Sequence, residues 1–79
     1  MTRVNGQTMQ SSTTDRMLFK IDEAIAYATR CLSLSPGDVI ATGTPDGVGG
    51  SRKPPVFMHP GDVVEVEIGD IGILRSRIV

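Results

Sequence analysis

The sequence predicts an α+β domain that is mainly β, made of short strands and hairpins with one helix. Asn5-Gly6 is a strong hairpin signal, and the tetrapeptide Pro-Gly-Asp-Val occurs twice, at 36–39 and 60–63, each time at the start of a β-branched run. Apolar residues with helical spacing occur in one stretch, residues 21–32. A chain of 79 residues is long enough for one small domain.

The first hairpin is predicted from the residues around Asn5-Gly6. Residues 2–4 and 7–9 form its two arms, and both central residues of a type I′ turn adopt positive φ, which Asn and Gly tolerate best. The polar stretch that follows, residues 10–16, contains four Ser and Thr residues and is predicted to be a loop.

The helix is predicted over about residues 21–32. Its apolar residues share one helical face: Ile21, Ala24, Ile25, Ala28 and Leu32. Asp22 and Glu23 lie near the start and Arg30 near the end, where each charge complements the helix dipole.

Each Pro-Gly-Asp-Val segment predicts a type II turn followed by a strand, since Pro suits position i+1 and Gly position i+2. The first run, residues 39–42, is continuously apolar and predicts a strand covered on both faces. The second run, residues 63–68, alternates, which predicts one buried and one solvated face. The side predicted to be buried consists of Val64, Val66 and Ile68.

Residues 71–79 are predicted to form a second hairpin with residues 63–68, across a turn at Gly69-Asp70. In that hairpin the solvated carboxylates, Glu65 and Glu67, are expected to face an arginine of the opposite strand, either Arg75 or Arg77.

Composition excludes several classes of protein. Eight basic and nine acidic residues give a net charge of −1, which argues against an electrostatic nucleic-acid or membrane binder. No apolar run approaches the roughly 18–20 residues that span a bilayer, and no signal peptide is visible, so we expect a cytoplasmic protein. The single cysteine, Cys31, excludes an internal disulfide and a Cys-rich zinc site. Because such staples are missing and aromatic residues are few, stability is expected to come from a partner subunit or further sequence.

The strongest candidate site is the glycine-rich loop at residues 43–55. Gly43 permits close approach of a ligand to the backbone, and Thr44 offers a hydroxyl and an N–H to an anionic oxygen. Neither a phosphate-binding P-loop nor a dinucleotide fingerprint fits the glycine spacing. The alternative is that the loop is a purely structural connection between two strands.

Other reactive residue types give weaker signals. His59 has no cysteine or carboxylate partner that would suit a metal, so we interpret it as a surface or boundary residue. Cys31 is interpreted as an inert packing or boundary residue. Arg52-Lys53 is predicted to be a solvated loop tip, with attraction of a carboxylate substrate as the alternative.

Residues 35–49, SPGDVIATGTPDGVG, resemble the C-terminal signature of the fumarylacetoacetate hydrolase family. The likeness continues through residues 52–68 and 71–76 and is also present upstream, at residues 4–10 and 17–21. The resemblance implies that residues 1–79 are the C-terminal part of such a catalytic domain, a fragment of its mixed β-roll, without the N-terminal metal-binding part.

The family resemblance also implies a function. Members are metal-dependent hydrolases, lyases, isomerases or decarboxylases of 2-oxo or 2-hydroxy-alkenoic (β-diketo) acids. Examples are fumarylacetoacetate hydrolase, acylpyruvase and 2-hydroxyhepta-2,4-diene-1,7-dioate isomerase, enzymes associated with aromatic degradation. By resemblance, Thr44 contacts the substrate carboxylate and Gly43 and Pro45 shape that contact. A homodimer with Mg²⁺ or Mn²⁺ is expected for the complete enzyme.

The same resemblance places the metal ligands outside this chain. The family holds its metal with a Glu-x-Glu pair and an Asp, and Glu65 and Glu67 lie in the wrong part of the pattern. We therefore expect no catalytic and no metal-binding residue here and an inactive chain on its own. The alternative is a non-enzymatic β module that pairs with another chain through open strand edges.

Overall fold

The computed structural model describes all of residues 1–79, which form two compact units. Met1–Ser12 and Pro45–Val79 make up the first unit, and Thr13–Thr44 make up the second. The strands all lie in the first unit: β1 Thr2–Val4, β2 Gln7–Gln10, β3 Val63–Ile68 and β4 Gly72–Arg77. The α-helix, α1 Ile21–Ala28, lies in the second. Short 3₁₀ turns occupy Thr14–Arg16 and Gly49–Ser51. The predicted α+β, mainly β class is confirmed.

The four strands form one antiparallel sheet in the order β2-β1-β3-β4. The first hairpin is confirmed, with φ of 51° at Asn5 and 80° at Gly6, as a type I′ turn requires. β1 also pairs with β3, more than 50 residues further along the chain, so β1 and β3 are central and β2 and β4 are the edges.

The second hairpin is confirmed as well. The N–H of Asp62 donates to the carbonyl oxygen of His59 at 3.0 Å, and Gly61 has φ of 96°, which a type II turn needs at this position. β3 then pairs with β4 in a register that sets Glu65 opposite Arg75.

Helix α1 starts at Ile21 as predicted but ends at Ala28, four residues before the predicted end. The hydroxyl of Thr29 donates to the carbonyl oxygen of Ile25 at 2.8 Å, a local bond that competes with continued helix. The next bonds, Arg30 N–H to Tyr27 and Cys31 N–H to Ala28, are the tighter kind that closes a helix.

The strand predicted at residues 39–42 is not formed, and that prediction is wrong for this chain. The turn before it is present: Gly37 has φ of 95°, and the N–H of Asp38 donates to Ser35 at 3.0 Å. Residues 39–42 take part in none of the strand pairings, and Val39 is 92% exposed. A strand needs a neighbour to satisfy its N–H and C=O groups, and the chain supplies none at this place.

No residue of the chain is buried. The predicted division of β3 into a buried apolar face and a solvated acidic face is therefore wrong. Val64 is half-buried, but Val66 is 37% and Ile68 is 55% exposed. Glu65 is more covered than either of them, since the long side chain of Arg3 lies against it.

The isolated chain is expected to unfold readily or to associate. Many of its large apolar side chains are exposed, and the edge strand β4 has no further strand beside it. Sedimentation velocity and thermal melting measure this. A monodisperse monomer with a sharp melting transition well above ~60 °C would contradict the expectation, because that exceeds the usual range of small mesophilic domains.

Candidate functional site

Arg52 joins the glycine-rich loop to strand β2. Its guanidinium donates from Nη2 to the carbonyl oxygen of Met9 at 2.8 Å and from Nε to that of Gly47 at 3.2 Å. The side chain is partly buried, so its interpretation as a solvated loop tip is wrong. Both of these donors are directed at backbone carbonyls, which makes Arg52 a structural tie in this chain.

Gln10 provides a second tie between the same two segments. Its side-chain amide donates from Nε2 to the carbonyl oxygen of Pro45 at 2.9 Å. Pro45 directly follows Thr44 and Gly43, the two residues predicted to bind substrate. The loop is therefore held at Pro45 by a side chain of β2.

Two glycines allow the loop to pack against neighbouring backbone. A Cβ at Gly47 would lie 2.1 Å from the carbonyl oxygen of Met9, and one at Gly49 would lie 2.0 Å from that of Val56. Gly47 also has a φ of 103°, a backbone conformation that residues with a side chain rarely adopt. The N–H of Val56 donates to Gly49 at 2.9 Å and closes the loop on itself.

Gly43 and Thr44 lie at the end of the second unit and are exposed. Gly43 has φ of 97°, and a Cβ there would meet nothing within 4 Å, so glycine is required for backbone shape and not for packing. The exposed Thr44 hydroxyl and N–H are chemically suited to an anionic oxygen. Their role as substrate ligands remains a prediction.

A hollow of about 500 Å³ lies within the first unit, between the loop and the sheet. Residues of the glycine-rich loop form one wall, and the strands of the first hairpin form another. The lining is mostly apolar and includes Val4, Met9, Val48, Val56, Phe57 and Met58. Such a lining is typical of a surface that receives an apolar group.

Arg3 of β1 pairs with both carboxylates of the acidic face of β3. The guanidinium lies 2.7 Å from Oε2 of Glu67 and 3.4 Å from Oε2 of Glu65, and these partners raise the pKa of Arg3, with the Glu67 hydrogen bond as the largest cause. The predicted cross-strand placement is confirmed for Glu65, which lies opposite Arg75, whereas the ion pairs of both glutamates are made with Arg3 of the other neighbouring strand.

Asp62 connects the two turns at one end of the sheet. The Asn5 amide donates from Nδ2 to Oδ1 of Asp62 at 2.9 Å, and the N–H of His59 donates to Oδ2 at 2.8 Å. These two bonds, the one from Asn5 foremost, favour the ionised carboxylate and lower the pKa of Asp62 below its ordinary value of 3.8.

The residues present do not fit a divalent metal. No three His, Cys, Asp or Glu side chains lie together in the chain, and the carboxylates of Glu65 and Glu67 are both taken up by Arg3. The side chain of His59 is 79% exposed and Cys31 is exposed, so neither belongs to a cluster. No chemistry that depends on a metal can be assigned to these residues.

The family model described as fumarylacetoacetate (FAA) hydrolase C-terminal matches residues 1–79. The chain belongs to the fumarylacetoacetate hydrolase family.

Curated relatives give the comparison more detail. The bovine protein named "Oxaloacetate tautomerase FAHD2A, mitochondrial" is 51% identical over 77 residues, which are 98% of this chain and 24% of the relative. A Staphylococcus aureus protein, SAUSA300_0871, is 47% identical over 78 residues, 99% of this chain and 26% of the relative. The chain thus spans about a quarter of the length of the curated relatives it matches.

Two solved structures share the fold. Fumarylacetoacetate hydrolase from Exiguobacterium antarcticum superimposes with a TM-score of 0.92 at 47% identity, covering 98% of this chain and 28% of that one. A Mycobacterium smegmatis protein described as HpcE gives 0.94 at 42% identity, covering 99% of this chain and 29% of that one. The prediction of a fragment of this family's fold is confirmed.

Cellular location is less well defined. The structure contains no helix with the length and apolarity needed to span a membrane. The bovine relative carries the word mitochondrial in its name, which differs from the cytoplasmic location expected from the sequence. The cytoplasmic location of this chain remains a prediction.

The variants are best studied in a chimera, because this chain spans only about a quarter of its relatives. In the chimera, the 77 matching residues of the bovine relative are replaced by those of this chain. In the chimera, Asp62→Asn is expected to lower stability at neutral pH and to matter less in acid. Because the folded pKa of Asp62 is lowered, its contribution is present above 3.8 and is lost as pH falls through the folded pKa.

Urea unfolding midpoints of the chimera and its Asp62→Asn variant, compared from pH 7 down to pH 2, measure this dependence. Asp70→Asn, in the exposed turn between β3 and β4, is the matched control. A difference between the chimera and Asp62→Asn that stays constant across the range would contradict a lowered pKa.

Proposed function

We propose that this chain forms the substrate-binding loop of a fumarylacetoacetate hydrolase family enzyme that acts on a 2-oxo acid, with keto–enol conversion of oxaloacetate as its reaction. The observation that carries the proposal is the identity of 51% over 98% of the chain to a relative named as an oxaloacetate tautomerase. The alternative reactions for the same enzyme are hydrolysis, isomerisation or decarboxylation of related β-diketo acids.

The proposed role of Thr44 is to hold a substrate carboxylate. Its hydroxyl and its backbone N–H are two donors on one residue, and a carboxylate accepts both. Fixing the carboxylate fixes the adjacent ketone, which matters because tautomerisation moves a proton between that ketone oxygen and the next carbon. Orientation of this kind lowers the barrier by reducing the entropy that is lost in the reaction.

The structure supports a loop whose shape is set before substrate arrives. The carbonyl oxygens of Pro45, Gly47, Val48 and Gly49 all accept hydrogen bonds from within the first unit. A loop with satisfied carbonyls has few alternative conformations, so residues 45–49 keep one shape before substrate arrives.

The groups that move the proton and that hold Mg²⁺ or Mn²⁺ are assigned, in this proposal, to residues outside the 79. This chain supplies binding and one wall of the site. The complete enzyme is proposed to be a homodimer acting on a small 2-oxo carboxylate, with no nucleic acid or membrane as partner.

The test is the activity of the chimera. Purified chimera and the unmodified bovine relative are mixed with enol oxaloacetate, and the ultraviolet absorbance of the enol is followed; a panel of acylpyruvates tests the neighbouring reactions. We expect tautomerase activity in both proteins. A chimera that melts cooperatively like the bovine relative, yet acts on none of the substrates, would contradict the proposal.

A second candidate function is supported by the exposure of the whole chain. No side chain is buried, and the edge strand β4 has no further strand beside it, as in a module that completes itself by pairing with another chain. Stable, defined assemblies of the isolated chain together with an inactive chimera would favour this candidate over the enzyme.

A further inference from the structure

We propose that Arg52 is a positioning residue for this site, holding the glycine-rich loop against β2 so that Thr44 meets the substrate in one place. The inference rests on the proposed function of Thr44. It goes beyond that function because Arg52 lies eight residues further along the chain and acts only on backbone.

The geometry of the guanidinium carries the first step. Two of its donors reach two carbonyl oxygens on separate segments, Met9 on β2 at 2.8 Å and Gly47 in the loop at 3.2 Å. Met9 is 43 residues away in sequence, so this one side chain connects the loop to a distant segment of the chain. Only arginine offers a planar fork with donors set apart in this way; a lysine ammonium is a single point.

The contact beneath the guanidinium carries the second step. Gly47 packs so closely on β2 that a Cβ would lie 2.1 Å from the Met9 carbonyl oxygen, the same oxygen that accepts from Arg52. The hydrogen bonds and the close backbone contact therefore hold the same point of the loop. If the Arg52 hydrogen bonds are lost, the loop is therefore no longer fixed in position against β2.

Chain connectivity carries the third step. Gly47 lies three residues beyond Thr44, and the residue directly between Thr44 and Asp46 is Pro45, whose ring restricts φ and whose carbonyl is held by Gln10. Only Pro45 and Asp46 separate Gly47 from Thr44, so a displacement of Gly47 is transmitted to Thr44 through a short segment in which the φ of Pro45 is restricted. Displacements of about 1 Å at a binding group reduce rates by up to about 100-fold.

The experiment compares Arg52→Met, which keeps the apolar stem, with Arg52→Lys, which keeps the charge, both in the chimera. Arg77→Met on the exposed strand β4 is the matched control. In Arg52→Met we expect faster hydrogen–deuterium exchange in a peptide covering residues 43–51, a raised KM and a roughly 10- to 100-fold lower kcat/KM. The exchange rate and kcat/KM of Arg52→Lys should lie between those of the chimera and Arg52→Met. Both quantities should be the same in Arg77→Met as in the chimera.

A double-mutant cycle separates positioning from general destabilisation. If Arg52 acts through Thr44, then Arg52→Met costs much less kcat/KM when Thr44 is already Val, whereas independent losses multiply. Unchanged exchange in Arg52→Met, faster exchange with unchanged kcat/KM, or losses that simply multiply would each overturn the inference. An inactive parent chimera instead contradicts the proposed function, and the exchange data alone then decide whether Arg52 holds the loop.

Discussion

Alanine at Gly47 is expected to destabilise the chimera more than alanine at any other glycine of the loop. Two independent penalties apply there. The backbone has φ of 103°, which costs a side-chain-bearing residue roughly 1–3 kcal/mol, and the new Cβ would lie 2.1 Å from the Met9 carbonyl oxygen, adding about 1–3 kcal/mol of overpacking. The free energy of unfolding should therefore fall by about 2–6 kcal/mol, as measured by urea denaturation.

Three other glycines separate these penalties. Gly49→Ala introduces a contact at 2.0 Å without a positive φ, Gly43→Ala introduces a positive φ of 97° without a contact, and Gly50→Ala introduces neither, its nearest atom being 3.7 Å away. We expect intermediate losses for Gly49 and Gly43, and a change within about 0.5 kcal/mol for Gly50. If Gly47→Ala proved as mild as Gly50→Ala, the close packing of the loop on β2 would be disproved.

Replacement of Thr44 by Val is expected to lower kcat/KM of the chimera about 10- to 150-fold. A hydrogen bond from its hydroxyl to a charged carboxylate contributes roughly 1.5–3 kcal/mol, and each ~1.4 kcal/mol is a factor of ten. The fold should survive, because the substitution removes one polar atom from an exposed position. Steady-state kinetics with enol oxaloacetate and thermal melting measure the two effects separately.

Two variants control for this result. Thr42→Val makes the same chemical change at an exposed position two residues earlier and should leave kcat/KM near that of the chimera. Thr44→Ser keeps the hydroxyl and should retain most activity. If Thr44→Val left kcat/KM unchanged while the melting temperature clearly fell, the hydroxyl would serve the turn and not the substrate.

Features encoded by neighbouring residues were predictable from the sequence. The Asn5-Gly6 turn and the turn at Gly61 follow from which residues tolerate positive φ, and the start of α1 follows from apolar spacing with acidic residues behind it. The glycine-rich loop was also identified as the candidate site from composition and position. Each of these features depends on contacts within about four residues, which a sequence pattern records directly.

Other features depend on residues distant in sequence, and only the tertiary structure decided them. Arg3 pairs with the carboxylates of β3 because β1 and not β4 brings a cation within 4 Å of them. Arg52 ties the loop because it reaches a carbonyl 43 residues away.

The strand predicted at residues 39–42 is absent because a strand requires a second strand beside it. Residues 39–42 have strand-forming composition, yet a strand forms only where another strand satisfies its backbone. The end of α1 at Ala28 is an exception, because it is set locally by the Thr29 hydroxyl, which bonds to the carbonyl oxygen of Ile25. By itself, the sequence determined the turns, the hairpins and the start of α1. Which charges pair, which face is covered and what holds the loop were decided by long-range packing, because a local pattern contains no information about which distant group will fill a given space.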